Sequence, residues 1–224
     1  MILTLDLGTS SNRCLAISST GQCVASAQEE FTQYFPKPAW VEHDPTEIWT
    51  STLSVLKTVI DQIDILQVSA IAITNQRETV VAWDKNTGKA LHNAIVWQCR
   101  RSAERMQSFS KNDQALIKSK TGLPSDAYFS ASKMEWLYNN VDAVKDAAHT
   151  DSLCFGTIDS WILFQLTQKK CFASDPSNAF CRSYQCIVNA TGAWSNETAK
   201  KDKTLTSPLV APTKGVRGVT SKTF

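Results

Sequence analysis

Leucines at 3, 5 and 7 alternate with Ile2, Thr4 and Asp6, the period-two pattern of a strand with one buried face. With residues 13–18 and 22–31, set off by tight turns, three strands are expected at the start of the chain. The segments between them, Gly8-Thr9-Ser10-Ser11-Asn12 and Ser18-Ser19-Thr20-Gly21, are made of residues that bend a backbone. Such short connections force neighbouring strands to run antiparallel. The period then changes. Ile48, Trp49, Leu53, Leu56, Ile60 and Ile63 recur at spacings of three and four, which predicts an amphipathic helix of about 15–20 residues. Its start is marked by Asp44 as N-cap, Pro45 in the first helical position and Glu47 in the third, a capping-box arrangement.

Shorter apolar runs follow. Residues 68–74 and 79–83 read as strands, the second closing in the turn Asp84-Lys85-Asn86-Thr87-Gly88, and 94–97 as another strand leading into a polar helix that starts at Gln98. Residues 102–150 suggest several short helices, 153–155 a buried strand, and 157–166 a helix with Ile158, Trp161, Ile162 and Leu166 on its apolar face. After about residue 195 the pattern dissolves into Lys, Thr, Pro and Gly. Three meandering strands followed by alternating helices and strands imply an α/β domain with a mixed sheet.

The 224 residues, 42% hydrophobic, suffice for a substantial core. With 23 basic against 21 acidic residues and no basic block, nothing marks a nucleic-acid or anionic membrane surface, so no nucleic acid and no membrane are expected as partners. Met1 runs directly into Ile2-Leu3-Thr4-Leu5 with no charged leader, and no apolar run is long enough to span a bilayer. A cytoplasmic protein is expected. The seven cysteines (Cys14, Cys23, Cys99, Cys154, Cys171, Cys181, Cys186) are scattered, without a C-x-x-C pair and apart from the isolated His43, His92 and His149. They read as reduced core thiols rather than disulfides or a zinc cage. The N-x-T sequons at Asn189 and Asn196 carry no weight without a secretory route.

Three segments could carry chemistry. In Asp6 to Arg13 a carboxylate ends a buried strand, Gly8 permits a tight turn, and hydroxyls precede an arginine. Backbone N–H groups and hydroxyls in such a turn can hold phosphate oxygens, and the carboxylate a hydrated Mg²⁺; an ordinary hairpin reads the same way. Asn75-Gln76-Arg77-Glu78 sets four polar residues between two apolar runs, costly unless each finds a partner. They suit a polyhydroxylated ligand or a structural ion pair equally. Trp97-Gln98-Cys99-Arg100-Arg101 puts an aromatic face, able to pack on a polyol or simply on the core, beside a polar cluster. No G-x-G-x-x-G occurs, and residues 215–223 fail as a P-loop because Ser221 stands where glycine should precede lysine.

In order and spacing these segments resemble the FGGY family of carbohydrate kinases, in its glycerol-phosphorylating branch. The resemblance runs from Leu3 to about Thr220. It is carried by the Asp6–Arg13 loop, Trp40-Val41-Glu42-His43-Asp44, Thr74-Asn75-Gln76-Arg77-Glu78-Thr79, Trp97-Gln98-Cys99-Arg100-Arg101, Tyr128-Phe129-Ser130, Gly156-Thr157-Ile158-Asp159-Ser160-Trp161 and Asp175-Pro176-Ser177-Asn178-Ala179.

The resemblance implies a ribonuclease H-like domain of the actin/hexokinase ATPase type with helical insertions, ATP and magnesium (Mg²⁺) as cofactors, and glycerol or a similar polyol as substrate. It assigns Arg77, Glu78, Trp97 and Tyr128 to the polyol. Asp6 falls to the metal and the transferring phosphate, as a catalytic group, and Ser10, Ser11, Asn12 and Arg13 to the nucleotide phosphates. Leu7 stands where these kinases frequently have glutamine. The family's Gly-Asp-Gln motif, which carries its catalytic base, would follow the region of Gly218-Val219-Thr220. Residues 1–224 are thus expected to be an amino-terminal domain stopping short of a second, nucleotide-binding domain, inactive alone, from a parent that forms a homo-oligomer. A related kinase for another polyol or sugar, or a catalytically silent binding module, remains as an alternative.

Overall fold

The computed structural model describes residues 1–175 and 178. Cys181, Cys186, Asn189, Asn196 and residues 215–223 lie outside the described residues. Two four-stranded sheets form the frame. The first contains β1 (Ile2–Leu7), β2 (Ser11–Ile17), β3 (Cys23–Glu30) and β5 (Ala70–Asn75) in the order β3-β2-β1-β5. β1 is antiparallel to β2 and parallel to β5, so the expected mixed sheet is present. The second is wholly antiparallel: β4 (Glu42–His43), β7 (Ala94–Ile95), β6 (Val80–Asp84) and β8 (Leu153–Thr157).

One face of the first sheet presents Leu3, Leu5, Leu7, Cys14 and Ala16, all buried, to a core shared with Ile48, Val55, Leu56 and Val59 of α1 (Pro45–Ile60). Trp83 of β6 is fully buried in the same core, against Trp161 and Phe164 of α6 (Ile158–Leu166) and against Phe172. Gly156 lets β8 pass beneath it: a Cβ there would stand 2.9 Å from the Trp83 ring and 2.8 Å from Ser160. A second core lies between the antiparallel sheet and α4 (Ser130–Asn140) with α5 (Asp142–His149). α2 (Ala103–Gln107) and α3 (Lys111–Thr121) complete the helical excursion between β7 and β8. Among the described residues no helix is long and apolar enough to cross a membrane.

Several expectations are corrected. β2 begins at Ser11, two residues early, which carries Asn12 and Arg13 into the strand. The polar helix begins at Ala103, because residues 97–102 form turns and loop. In α1, Leu53 is exposed and the buried stripe includes Ser51, Thr52, Val55 and Val59. Asp44 does cap α1, accepting from Thr46 N at 2.7 Å. Glu47 does not close a capping box; it accepts instead from Thr32 N (2.9 Å) and the Tyr34 hydroxyl, which tethers the segment after β3. That hydroxyl holds the Glu47 carboxyl below its usual range. Cys14, Cys99 and Cys154 are buried free thiols while Cys23 is exposed, and burial pushes Cys14 up to about 11 and Cys154 to about 12.

Candidate functional site

β1 and β5 are parallel neighbours, so the segments that follow them emerge at the same end of the sheet. After β1 comes the loop Gly8-Thr9-Ser10. Gly8 N donates to Ser11 O at 3.0 Å, and a Cβ on Gly8 would meet that same oxygen at 3.0 Å. A side chain at position 8 would press on this turn, which would have to give by a few tenths of an ångström. Ser10 is exposed at the tip. On the sheet face away from α1, Thr74, Asp6, Arg13 and Gln28 stand in register across four strands. Asp6 is exposed there; Arg13 holds Gln28 Oε1 through Nε (3.1 Å) and Nη2 (2.8 Å), and Gln28 Nε2 donates to Ser11 Oγ at 3.0 Å.

After β5 comes Gln76-Arg77-Glu78. Glu78 adopts a left-handed φ of 64°, which turns its side chain inward while Arg77 remains exposed. The Glu78 carboxylate accepts from Ser130 N (2.8 Å) and Ser130 Oγ (2.6 Å), at the amino end of α4. The N-cap of that helix, Phe129, offers no side-chain acceptor. A carboxylate from another segment thus satisfies a free helix N–H and faces the positive end of the helix dipole. Tyr128, two residues earlier, lies edge-on to Trp97 with ring centroids 5.8 Å apart. Its segment is gathered by Lys133, a fully buried lysine donating to the carbonyls of Ala127 (2.9 Å), Tyr128 and Phe129 (3.2 Å).

The two halves meet directly. Trp97 Nε1 donates to Thr9 Oγ1 at 3.0 Å, and Gln76 Nε2 to the Gly8 carbonyl at 2.9 Å. Glu78, Trp97 and Tyr128 are thereby brought together beside the loop that carries Ser10, with Arg77 adjoining in sequence. Asn12 is not brought there. Strand alternation turns it to the opposite face of β2, fully buried, where its amide donates to Ile48 O, Ser51 Oγ and Thr52 Oγ1 of α1. Its place among the phosphate contacts is withdrawn.

Thr9, Ser130 and Lys133 take part in this construction although their residue types alone mark none of them as a site residue. Thr9 sits within the quoted loop, and the polar quartet at 75–78 did announce that Gln76 needed partners. Nothing in the sequence pairs Lys133 with three carbonyls of the segment before it.

Among the described residues no group of three or more His, Cys, Asp or Glu side chains could hold a metal ion. Asp6 alone fits a different chemistry, since Mg²⁺ commonly takes one or two protein carboxylates and completes its shell with phosphate and water.

Residues 1–201 match the N-terminal domain of the FGGY family of carbohydrate kinases. The chain is 46% identical over 203 residues to a glycerol kinase of Agathobacter rectalis, spanning 89% of this chain and 40% of that protein. It is 50% identical over 200 residues to a glycerol kinase of Borreliella burgdorferi, spanning 88% and 39%. It therefore spans about two-fifths of the length of these curated relatives. Among solved structures, Plasmodium falciparum glycerol kinase with ADP superposes with a TM-score of 0.71 at 35% identity, over 80% of this chain and 36% of that one. The mixed sheet with its helices is accordingly the actin/hexokinase-like, ribonuclease H-like ATPase fold. The chain belongs to the FGGY family of carbohydrate kinases, whose N-terminal domain it carries.

Proposed function

We propose that this chain is the polyol- and phosphate-holding part of an ATP-dependent kinase that phosphorylates glycerol, in a protein that a second, nucleotide-binding domain completes. The observation that carries the reading is the 3.0 Å hydrogen bond from the Trp97 indole to the Thr9 hydroxyl, which joins a polar and aromatic cluster to a tight phosphate-type loop. Phosphoryl transfer depends on that juxtaposition, because holding acceptor and donor in register supplies much of the rate. The identities to curated glycerol kinases support glycerol as the acceptor.

Glu78 would accept hydrogen bonds from glycerol hydroxyls, Arg77 would donate to their oxygens, and Trp97 with Tyr128 would pack on the carbon chain. Ser10 would present its hydroxyl to phosphate oxygens, with Ser11 and Arg13 beside it, and Asp6 would hold hydrated Mg²⁺. When bound, ATP with Mg²⁺ supplies the phosphoryl group and neutralises its charge.

The test is a titration of the chain with glycerol, followed through the indole N–H resonance of Trp97. A saturable shift is expected with glycerol, lost in Arg77→Ala, and gluconate should not reproduce it. A response to gluconate in place of glycerol would reassign the substrate, and no response to any polyol would overturn the site.

A further inference from the structure

Behind the site a set of hydrogen bonds closes into a ring, and its directions can be assigned one after another. Gln33 Nε2 donates to the carbonyls of Thr9 (3.1 Å) and Phe31 (3.3 Å), so its Oε1 acts as acceptor. That oxygen lies 2.6 Å from His43 Nε2, which must therefore carry the hydrogen. On the far side of the imidazole, Nδ1 faces Gln76 Nε2 at 3.3 Å, the same amide nitrogen that donates to Gly8 O. Gln76 Oε1 accepts from Thr79 Oγ1 at 2.9 Å, and Thr79 Oγ1 accepts from Trp97 N at 3.2 Å. Trp97 closes the ring through its indole to Thr9 Oγ1.

The donors of both glutamines, Thr79 and Trp97 meet acceptors in one arrangement only, with His43 neutral and protonated on Nε2. A proton on Nδ1 would confront the Gln76 NH₂. Turning that amide over would then break its bonds to Gly8 O and Thr79 together. The surroundings keep the second proton off. His43 is fully buried, and burial lowers its pKa to about 4 against the opposing pull of Glu47 on α1. The Phe31 ring packs edge-on at 5.0 Å.

We infer that His43 is a positioning residue which, as the neutral Nε2–H tautomer, fixes the Gly8–Thr9 backbone relative to the loop that carries Gln76 and Trp97. It touches no substrate in this role. It sets the distance between two loops that follow different strands, and the two glutamines are its levers. Its consequence for phosphorylation rests on the function proposed above; its geometry does not.

The experiment is a two-bond ¹⁵N–¹H correlation spectrum of the labelled chain, which distinguishes the two ring nitrogens. His43 should show a protonated Nε2 and an unprotonated Nδ1 from about pH 8 to about pH 5, where an ordinary histidine has become charged. An Nδ1–H tautomer, or a mixture of the two, would overturn the inference.

Hydrogen exchange at the Trp97 indole supplies the second arm. His43→Leu should accelerate it about tenfold, the size of one net hydrogen bond, and His43→Gln, whose amide can still donate to Gln33, should restore most of the protection. Equal acceleration in both variants would show that the imidazole only fills space. The tautomer is read on the unsubstituted protein, so a poorly folding variant leaves a decisive measurement. A failed glycerol titration would leave both readouts standing, which separates this inference from the assignment of substrate.

Discussion

Replacing Arg101 with alanine should lower the unfolding free energy of the chain by about 3–5 kcal/mol, the cost of leaving a buried charge without its partner. The Arg101 side chain is wholly buried, with Nη2 at 2.6 Å from Glu42 Oε1 and Nε at 3.0 Å from Cys99 Sγ. Its guanidinium lies over two indoles, 4.0 Å from the ring centre of Trp40 and 4.6 Å from that of Trp136. Alanine would leave the Glu42 carboxylate, buried on β4, with the amide of Asn93 at 3.0 Å, and would empty the space between the two tryptophans. Lysine should not rescue the loss, because a point charge lacks the planar fork and the stacking surface.

Arg100 is the control. It pairs with Asp126 at 2.7 Å, but the arginine side chain is 46% exposed and the aspartate 38%. Arg100→Ala should therefore cost less than about 1 kcal/mol. Urea unfolding of both variants checks the pair. Similar losses would mean that burial is not what sets the worth of these ion pairs.

Glu78→Gln should lose on two counts. The carboxylate is 7% exposed and accepts two bonds from Ser130, so removing its charge should cost about 1.5–3 kcal/mol of stability. If the same group receives glycerol hydroxyls, binding should also weaken about tenfold, roughly 1.4 kcal/mol. From the sequence, a ligand carboxylate and a structural ion pair look like alternatives. The geometry joins a structural task to the proposed ligand task, because the contact that anchors α4 also fixes the orientation of the carboxylate. Ser130→Ala separates them: it removes the hydroxyl contact while leaving the carboxylate and the backbone N–H. It should lower the melting temperature and spare glycerol binding. Unchanged glycerol affinity in Glu78→Gln, with only the melting temperature reduced, would take Glu78 out of the polyol site.

The first sheet was legible because β1, β2, β3 and β5 are longer runs, the first three set off by tight turns. In the second sheet β6, β7 and β8 are legible as short apolar runs, whereas β4, only Glu42–His43, carries no periodicity and emerges from its pairing with β7. The one misplaced position on the face of α1, Leu53, has a specific cause. The buried stripe of the helix includes Ser51 and Thr52, which hydrogen-bond to the buried Asn12, and a count of apolar residues alone rotates the face toward Leu53. Glu47 satisfied the spacing of a capping box, yet Thr32 N and Tyr34 lay within reach and took the carboxylate. At the site, residue types in short strings marked the loops after β1 and β5. The supports, Lys133 beneath Tyr128 and His43 between two glutamines, depend on contacts between segments remote in sequence and left no local pattern.

The parallel pairing of β1 with β5 also has a kinetic consequence. The hairpins β1-β2-β3 need only local turns, and loop closure over such distances is fast. β5 must instead return past α1 to join β1, tied by Ser69 N to Met1 O at 3.0 Å and by Gln76 N to Leu7 O at 2.7 Å. The Gln76–Gly8 bond spans 68 residues, and the chain entropy of that closure is spent before any contact repays it. The loops that follow β1 and β5 become neighbours only in this high-contact-order step. Substitutions that weaken the β1–β5 seam should delay the appearance of the Trp97–Thr9 contact in refolding while leaving hairpin formation at its native rate, so the site is born in a long-range closure and not with the hairpins.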